Sequence, residues 1–143
     1  MFKKFRKNEK GFTLAELLIV VAIIGVLVAI SIPIFTGQLK KARLATNQAN
    51  ARAAYAAATT QFMLDNSTNG ATANTAYVYD TSTGTATADK TVTAGDNIKD
   101  LDISKWDVTT TISGGDQLGD KTAKKWTVVL NPSGSVAGYS NNY

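Results

Sequence analysis

Residues 12–35 read FTLAELLIVVAIIGVLVAISIPIF, and this stretch decides the fold class. It is an apolar run of 24 residues in which Glu16 is the only charged side chain. About 20 apolar residues are enough for an α-helix to cross the hydrocarbon core of a bilayer. The sequence therefore predicts a membrane-spanning helix at residues 12–35, with one carboxylate close to its start.

Charges on the two sides of the run predict its orientation. Three basic residues, Lys40, Lys41 and Arg43, follow the run. Five precede it within ten positions, namely Lys3, Lys4, Arg6, Lys7 and Lys10. Because basic residues favour the cytoplasmic side of a span, we expect the N-terminus in the cytoplasm and the rest of the chain outside. The precursor is thus expected to be a single-pass protein of the cytoplasmic membrane.

The net charge of the chain is concentrated in the residues that precede the apolar run. The formal charge of the 143 residues is +4, yet residues 12–143 hold ten basic and ten acidic side chains. A mature chain without net charge gives no reason to expect a specific nucleic acid as a partner. The chain also lacks both cysteine and histidine, which removes thiolate chemistry and the commonest general base. We therefore expect no enzyme, no cofactor and no metal site.

Two ordinary interpretations of the apolar run stay open on the N-terminal residues alone. One is a secretory signal peptide cut near Ala29 and Ser31, although signal cores usually have only about 7 to 15 apolar residues. The other is a plain single-pass anchor. Glu16 argues for a more specific role, because an ionisable side chain within an apolar span is costly and usually has a partner. The dipole of the first helical turn also favours an acid, so a purely local role for Glu16 is open too.

Residues 10–18, Lys-Gly-Phe-Thr-Leu-Ala-Glu-Leu-Leu, resemble the cleavage and assembly signature of type IV prepilins. The likeness joins a short basic leader, a glycine before the cut, an aromatic residue after it and a glutamate followed by an unbroken apolar run. It extends to Gly25 and Pro33, where many pilins of this family carry a helix-weakening glycine and proline. In detail it covers about residues 3–40.

The resemblance implies that a prepilin peptidase removes residues 1–11 by cutting between Gly11 and Phe12, and that Phe12 is then N-methylated. It implies that Glu16 sets the register between subunits by pairing with the Phe12 amine of a neighbour, since a buried carboxylate needs a partner. Gly25 and Pro33 are expected to let the helix flex. The implied partners are identical pilin subunits, the prepilin peptidase, the pilus assembly machinery in the membrane and, before assembly, membrane lipid.

Beyond the span, residues 36–64 are rich in alanine and contain no proline, which predicts that the helix continues. Apolar side chains recur there at helical spacing, at Leu44, Ala51, Tyr55, Ala58 and Phe62. This pattern predicts an amphipathic segment whose apolar face packs against the rest of the protein.

Residues 65–143 change to Asn, Thr, Ser and Gly and are predicted to form a globular β-sheet head. Strand-like segments lie at residues 76–79, 90–93, 106–112, 126–130 and 135–139. Turn-forming residues at 113–116 and 131–134 favour an antiparallel meander. The predicted fold class is α+β, a long N-terminal helix packed on a small antiparallel sheet, as in pilins. Many pilins close this domain with a disulfide, so the absence of cysteine favours a Gram-positive type.

The polar residues of the head give only weak support for a metal site, a hydrolase or a glycosylation site. Four acids, Asp96, Asp100, Asp102 and Asp107, do not have the spacing of a calcium loop. No supporting base accompanies the carboxylate pair at positions 100 and 102, which argues against a hydrolase. Residues 66–68, Asn-Ser-Thr, fit the acceptor pattern for N-glycosylation, a match that is frequent by chance.

The expected function is structural, a type IV pilus subunit that polymerises through its N-terminal helix into a surface filament for adhesion, motility or aggregation. The main alternative is a pseudopilin of a type II secretion or DNA-uptake system, which has the same kind of N-terminus. A membrane-anchored or secreted binding module or enzyme is the remaining alternative.

Overall fold

A computed structural model describes residues 11, 13–68, 70–89, 102–111 and 116–142. One long helix, α1 (Leu14–Asp65), is followed by strands β1 (Thr75–Asp80) and β2 (Thr85–Asp89), a short 3-10 helix (Ile103–Lys105), and strands β3 (Lys125–Leu130) and β4 (Val136–Asn142). The predicted α+β class is confirmed. Contacts divide the chain into two units, Met1–Gly37 and Gln38–Tyr143, which we call the N-terminal unit and the head unit.

Helix α1 ends within one residue of the predicted position. The backbone N–H and the side-chain Nδ2 of Asn66 both donate to the carbonyl of Phe62, at 3.1 and 2.9 Å. These bonds satisfy a carbonyl that the helix itself leaves without a partner at its C-terminus. Because its Nδ2 is engaged in this way, Asn66 is a helix cap in the folded chain.

Within the N-terminal unit, α1 continues unbroken through Gly25 and Pro33. Pro33 has no N–H to donate into the preceding turn. Two nearby hydroxyls find acceptors inside the helix, since Ser31 Oγ donates to the Leu27 carbonyl at 2.7 Å and Thr36 Oγ1 donates to the Pro33 carbonyl at 3.0 Å. The helix is thus intact at both positions, and flexing there stays a prediction.

The four strands form one antiparallel sheet in the order β2-β1-β3-β4. Tyr77 of β1 is opposite Val128 of β3, and Val128 is opposite Tyr139 of β4. The predicted meander is wrong at its centre, because β3 pairs with β1 and not with β2. The sheet therefore consists of two hairpins joined through their first strands, with β1 and β3 in the middle.

The predicted strands at residues 76–79, 126–130 and 135–139 are confirmed as β1, β3 and most of β4. The strand predicted at 106–112 is wrong in the described residues, where turns occupy 108–109 and a single bridge joins Thr111 to Gln117. Asp107 is the physical reason, since its carboxylate accepts hydrogen bonds from the backbone N–H and the hydroxyl of Thr109. Such a local turn competes with a sheet ladder. Residues 90–93 and 113–115 lie outside the described residues.

The turn between β3 and β4 is where sequence analysis places it. Asn131 N–H donates to the Ser135 carbonyl and Gly134 N–H donates to the Asn131 carbonyl, both at 2.9 Å. Gly134 has a φ of 83°, and a Cβ there would stand 3.5 Å from Phe62 Cε1. Glycine fits this position because side-chain-bearing residues rarely adopt such a φ.

The core of the head unit lies between the second half of α1 and the sheet. The helix contributes small side chains and one aromatic ring: Ala51, Ala54, Ala58 and Phe62. The other side contributes Tyr77, Ile103, Trp106, Leu118, Ala123, Trp126, Val128, Leu130 and Tyr139. The rings of Trp106 and Trp126 stack with centroids 5.7 Å apart.

The predicted apolar stripe of α1 needs one correction. Tyr55 is 39% exposed, whereas Ala54 is fully buried beside Ala51 and Ala58. The buried face also includes Asn47, a polar residue, and Leu44 is only partly buried against the core. Neighbouring residues on a helix differ by about 100°, so Ala54 and Tyr55 cannot both face the sheet centre.

Candidate processing and assembly site

The N-terminus of α1 is capped by two side chains of the prepilin-like signature at residues 10–18. Thr13 N–H donates to Glu16 Oε2 at 2.9 Å, and Glu16 N–H donates to Thr13 Oγ1 at 3.2 Å. This reciprocal pair is a capping box, which satisfies two of the N–H groups that a helix leaves open at its start. The spacing of threonine and glutamate ahead of an apolar run is a known sequence pattern for this motif, and sequence analysis missed it.

Glu16 therefore has a local partner in the single chain. Replacing a capping residue by alanine usually costs about 1 kcal/mol, which bounds the benefit of this contact. An uncharged glutamine satisfies the same motif, so capping alone does not require the negative charge. Phe12 lies outside the described residues, and its pairing with Glu16 stays a prediction.

Gly11 and Gly25 have open space around them. A Cβ built on either glycine meets no atom within 4 Å. Packing against the described residues thus does not explain why either position lacks a side chain.

The N-terminal unit presents an unusually large apolar surface. Its leucine, isoleucine and valine side chains are about half exposed or more, as for Leu17 at 55% and Ile34 at 60%. One 18-residue window has a mean hydropathy of 3.1, and none of it is buried. By length and composition the helix can cross a membrane. A contiguous apolar surface of this size needs lipid or protein to cover it.

In the head unit, polar side chains of α1 hold two loops. Asn47 is completely buried, and its Nδ2 donates to the carbonyls of Leu118 and Lys121 at 2.9 and 2.8 Å. Its Oδ1 accepts from Ala123 N–H at 2.9 Å. The amide of Gln48 similarly donates to two carbonyls of residues 103–106, at 3.0 and 3.2 Å. Sequence analysis missed both residues because polar positions on a helix are normally solvent-facing.

The acids considered for calcium act as turn acceptors where they are described. A hydrogen bond from the Ser104 hydroxyl lowers the pKa of Asp102, and one from the Thr109 hydroxyl lowers the pKa of Asp107. Among the described residues, no group of three or more potential metal-binding side chains lies together. Asp96 and Asp100 lie outside the described residues.

Two buried tyrosines have raised pKa values. Burial raises the pKa of Tyr77 to about 12, helped by the hydrogen bond of its hydroxyl to Asp65 Oδ2 at 3.1 Å. Burial also raises the pKa of Tyr139 to about 12. Both shifts belong to the core of the head unit and indicate packing, not a reactive group.

The family model of the prokaryotic N-terminal methylation motif matches residues 6–32. The type IV narrow pilus major component PilA5 of Thermus thermophilus is 51% identical over 57 residues, which cover 38% of this chain and 49% of that protein. The type IV major pilin protein PilA of Myxococcus xanthus is 44% identical over 54 residues, covering 38% and 24%. The fimbrial protein EcpB of Eikenella corrodens is 53% identical over 37 residues, covering 26% and 23%.

These similarities confirm the resemblance to type IV pilins that sequence analysis indicates. The matched segments span about half, or less, of the length of these relatives. All three relatives are named as pilus or fimbrial proteins and none as an enzyme. No solved structure matches the chain.

Proposed function

We propose that this chain is the precursor of a structural subunit of a type IV pilus. The observation that carries the proposal is the exposed apolar surface of the N-terminal unit, joined to a methylation motif at residues 6–32. Lipid covers this surface in the membrane-held precursor, and neighbouring helices cover it in the filament. Pilus and fimbrial relatives support a filament subunit over an enzyme. Adhesion, motility and aggregation are the uses such a filament would serve.

Processing is proposed at the bond between Gly11 and Phe12, on the cytoplasmic side of the membrane, followed by methylation of the Phe12 amine. Helix α1 begins at Leu14, three positions after Gly11. The open space around Gly11 is consistent with close approach of a membrane peptidase. Gly11→Val should leave uncut precursor in the membrane. Normal accumulation of a chain starting at Phe12 would show that Gly11 is not recognised.

Glu16 is proposed to set the subunit register by pairing with the Phe12 amine of a neighbour. The capping box uses Oε2, and the described residues supply no hydrogen bond to Oε1. A second oxygen is thus available for a cationic amine, and a buried amine needs a compensating charge. Apolar packing supplies most of the affinity but chooses poorly between neighbouring registers.

The capping and pairing roles of Glu16 can be separated by substitution. Glu16→Gln keeps a capping box but removes the charge, whereas Glu16→Val removes both. If pairing matters, both variants are cleaved and accumulate in the membrane but yield few or no filaments, and Glu16→Asp is intermediate. The measurement is the amount of subunit in sheared surface fibres beside the amount in membranes.

Thr13→Val is the matched control, because it removes the hydroxyl of the cap and leaves the carboxylate in place. Its filament yield should stay close to that of the unaltered chain. Full filament yield from Glu16→Gln together with a low yield from Thr13→Val would assign Glu16 to capping and refute the pairing. Gly25 and Pro33 are proposed to admit bending of α1 during assembly, which the weak helix propensity of both residues supports.

A further inference from the structure

A basin of about 400 Å³ on the head unit is lined by Arg43, Asp120, Lys121, Thr122 and Lys124. Three of these five side chains are cationic. Two residues beside the basin change its net charge. Lys40 Nζ lies 3.0 Å from Asp120 Oδ1, and Asp116 Oδ2 lies 2.9 Å from Lys121 Nζ. The carboxylates of Asp120 and Asp116 are therefore paired with Lys40 and Lys121. The remaining cations, Arg43 and Lys124, give this surface an excess of positive charge.

Arg43 is positioned without being neutralised. Its Nη1 donates to the backbone carbonyl of Asp120 at 2.6 Å, a neutral acceptor that fixes the guanidinium while leaving its charge in place. Within the part of the chain that the structure describes, neither Arg43 nor Lys124 forms a salt bridge. A fixed guanidinium with free N–H groups beside an ammonium suits the oxygens of a phosphate group.

One basic residue of the basin lies close in sequence to the end of the apolar run. Arg43 follows Phe35, the last residue of the apolar run, by eight positions. Eight helical residues rise about 12 Å, and the headgroup layer extends roughly 5–8 Å beyond each side of the hydrocarbon core. An anionic membrane surface attracts cationic side chains that follow a span this closely, and the attraction falls off within a Debye length of about 8–10 Å.

We propose that the basin formed by Arg43, Lys121 and Lys124 binds the phosphate of anionic phospholipid headgroups in the outer leaflet while the subunit is held in the membrane. The proposal rests on the membrane-held precursor of the proposed function and adds a specific lipid class and site. Binding there would keep the head unit at the bilayer surface until the subunit is extracted into a filament.

Two other partners fit the basin less well. Nucleic acid binding usually needs a row of many cations, and the basin has two that lack a carboxylate partner among the described residues. A second subunit would have to offer a carboxylate. Four of the described acids of the head already accept hydrogen bonds within their own chain: Asp65 from Tyr77, Asp80 from Ser82, Asp102 from Ser104 and Asp107 from Thr109. These bonds leave the carboxylates charged, so the filament measurement below decides this alternative.

The test measures lipid selectivity of the full-length chain in phosphatidylcholine vesicles. Electron paramagnetic resonance of trace spin-labelled lipid gives the association ratio of phosphatidylglycerol to phosphatidylcholine at the protein. Each Lys or Arg near an anionic surface accounts for about fivefold in affinity. Arg43→Gln combined with Lys124→Gln removes two such cations and should therefore lower the ratio by about fivefold to 25-fold.

The matched control combines Arg52→Gln with Lys105→Gln, which removes the same charges at cations outside the basin and should leave the ratio nearly unchanged. An unchanged ratio in the Arg43 and Lys124 variant, or an equal loss in the control, would overturn the proposal. So would filament loss without any change in lipid selectivity, which would assign the basin to subunit contact.

Inorganic phosphate replacing chloride at equal ionic strength separates the two sources of phosphate. The five basic residues at positions 3–10 are common to both chains, so the readout is the difference in ratio between the unaltered chain and the Arg43 and Lys124 variant. A difference retained in phosphate supports the lipid headgroup, and its abolition by phosphate would assign the basin to free phosphate and overturn the proposal. A chain that fails to insert into the vesicles would refute the proposed function itself. A chain that inserts but shows no preference would refute only this inference.

Discussion

Asn47 provides a sharp test of how the head unit is held on α1. Its side-chain amide makes three hydrogen bonds of 2.8–2.9 Å to the loop at residues 118–123. A hydrogen bond contributes about 1 kcal/mol net, and a buried group left unsatisfied costs about 1–3 kcal/mol. Asn47→Ala leaves two carbonyls and one N–H without this partner, so the expected loss is about 3–5 kcal/mol. Folded domains have only about 5–15 kcal/mol of stability in total.

Denaturant unfolding of the full-length chain in detergent measures this loss. Near-ultraviolet circular dichroism follows the stacked pair of Trp106 and Trp126, whose ordered packing belongs to the folded head unit. The matched control is Asn50→Ala, which changes a partly exposed asparagine on the same helix. It should alter the free energy of unfolding by less than about 1 kcal/mol, because it removes no fully buried polar group and alanine is the better helix former.

Asn47→Leu separates hydrogen bonding from packing, because leucine has a similar volume but no polar atoms. It should destabilise the head unit at least as much as Asn47→Ala. A loss of less than about 1 kcal/mol in either variant would refute the argument that these hydrogen bonds hold the loop. The same result would show that water or a shifted loop satisfies the carbonyls.

Three further predictions follow from other parts of the chain. Gly119→Ala places a Cβ 2.9 Å from the backbone carbonyl oxygen of Val108 and should lower the melting temperature, with a cost of about 1–3 kcal/mol; an unchanged melting temperature would contradict the close approach. Tyr77 and Tyr139 have folded pKa values of about 12 against 10.0, so only the unfolded state ionises between those values. Stability should hold below pH 10 and fall as the pH rises from 10 to 12, while Tyr77→Phe should weaken this dependence; a flat profile in an alkaline melting series would refute it. Gly25→Ala should favour the helix by up to about 1 kcal/mol without a clash, yet lower filament yield if flexing is needed; full yield in sheared fibres would remove that role.

The long helix and the sheet class were predictable because their signals are strong and local. An apolar run of 24 residues fits few structures other than a membrane-spanning helix. The composition changes abruptly at Asp65 and Asn66, where α1 ends. The capping box was also predictable, because a threonine followed three positions later by a glutamate ahead of an apolar run is its sequence pattern.

Strand assignment in the head was less predictable for physical reasons. Residues 106–112 alternate like a strand, but the Asp107 carboxylate captures the following backbone in a turn. Strand β2 has the sequence TATAD, with no large apolar side chain to indicate burial, and its pairing with β1 makes it a strand. The buried role of Asn47 depends on the carbonyls of Leu118 and Lys121, 71 and 74 positions away, which no local pattern contains.

The most direct test of the central claim is the intact mass and N-terminal residue of this protein in sheared surface fibres. The account predicts that the chain is abundant in the fibres, begins at Phe12 and carries one N-methyl group. A chain found only in the cell envelope would favour the secretion or DNA-uptake alternative. A mature start near Ile32 would show an ordinary signal peptide and contradict a pilus subunit assembled through its N-terminal helix.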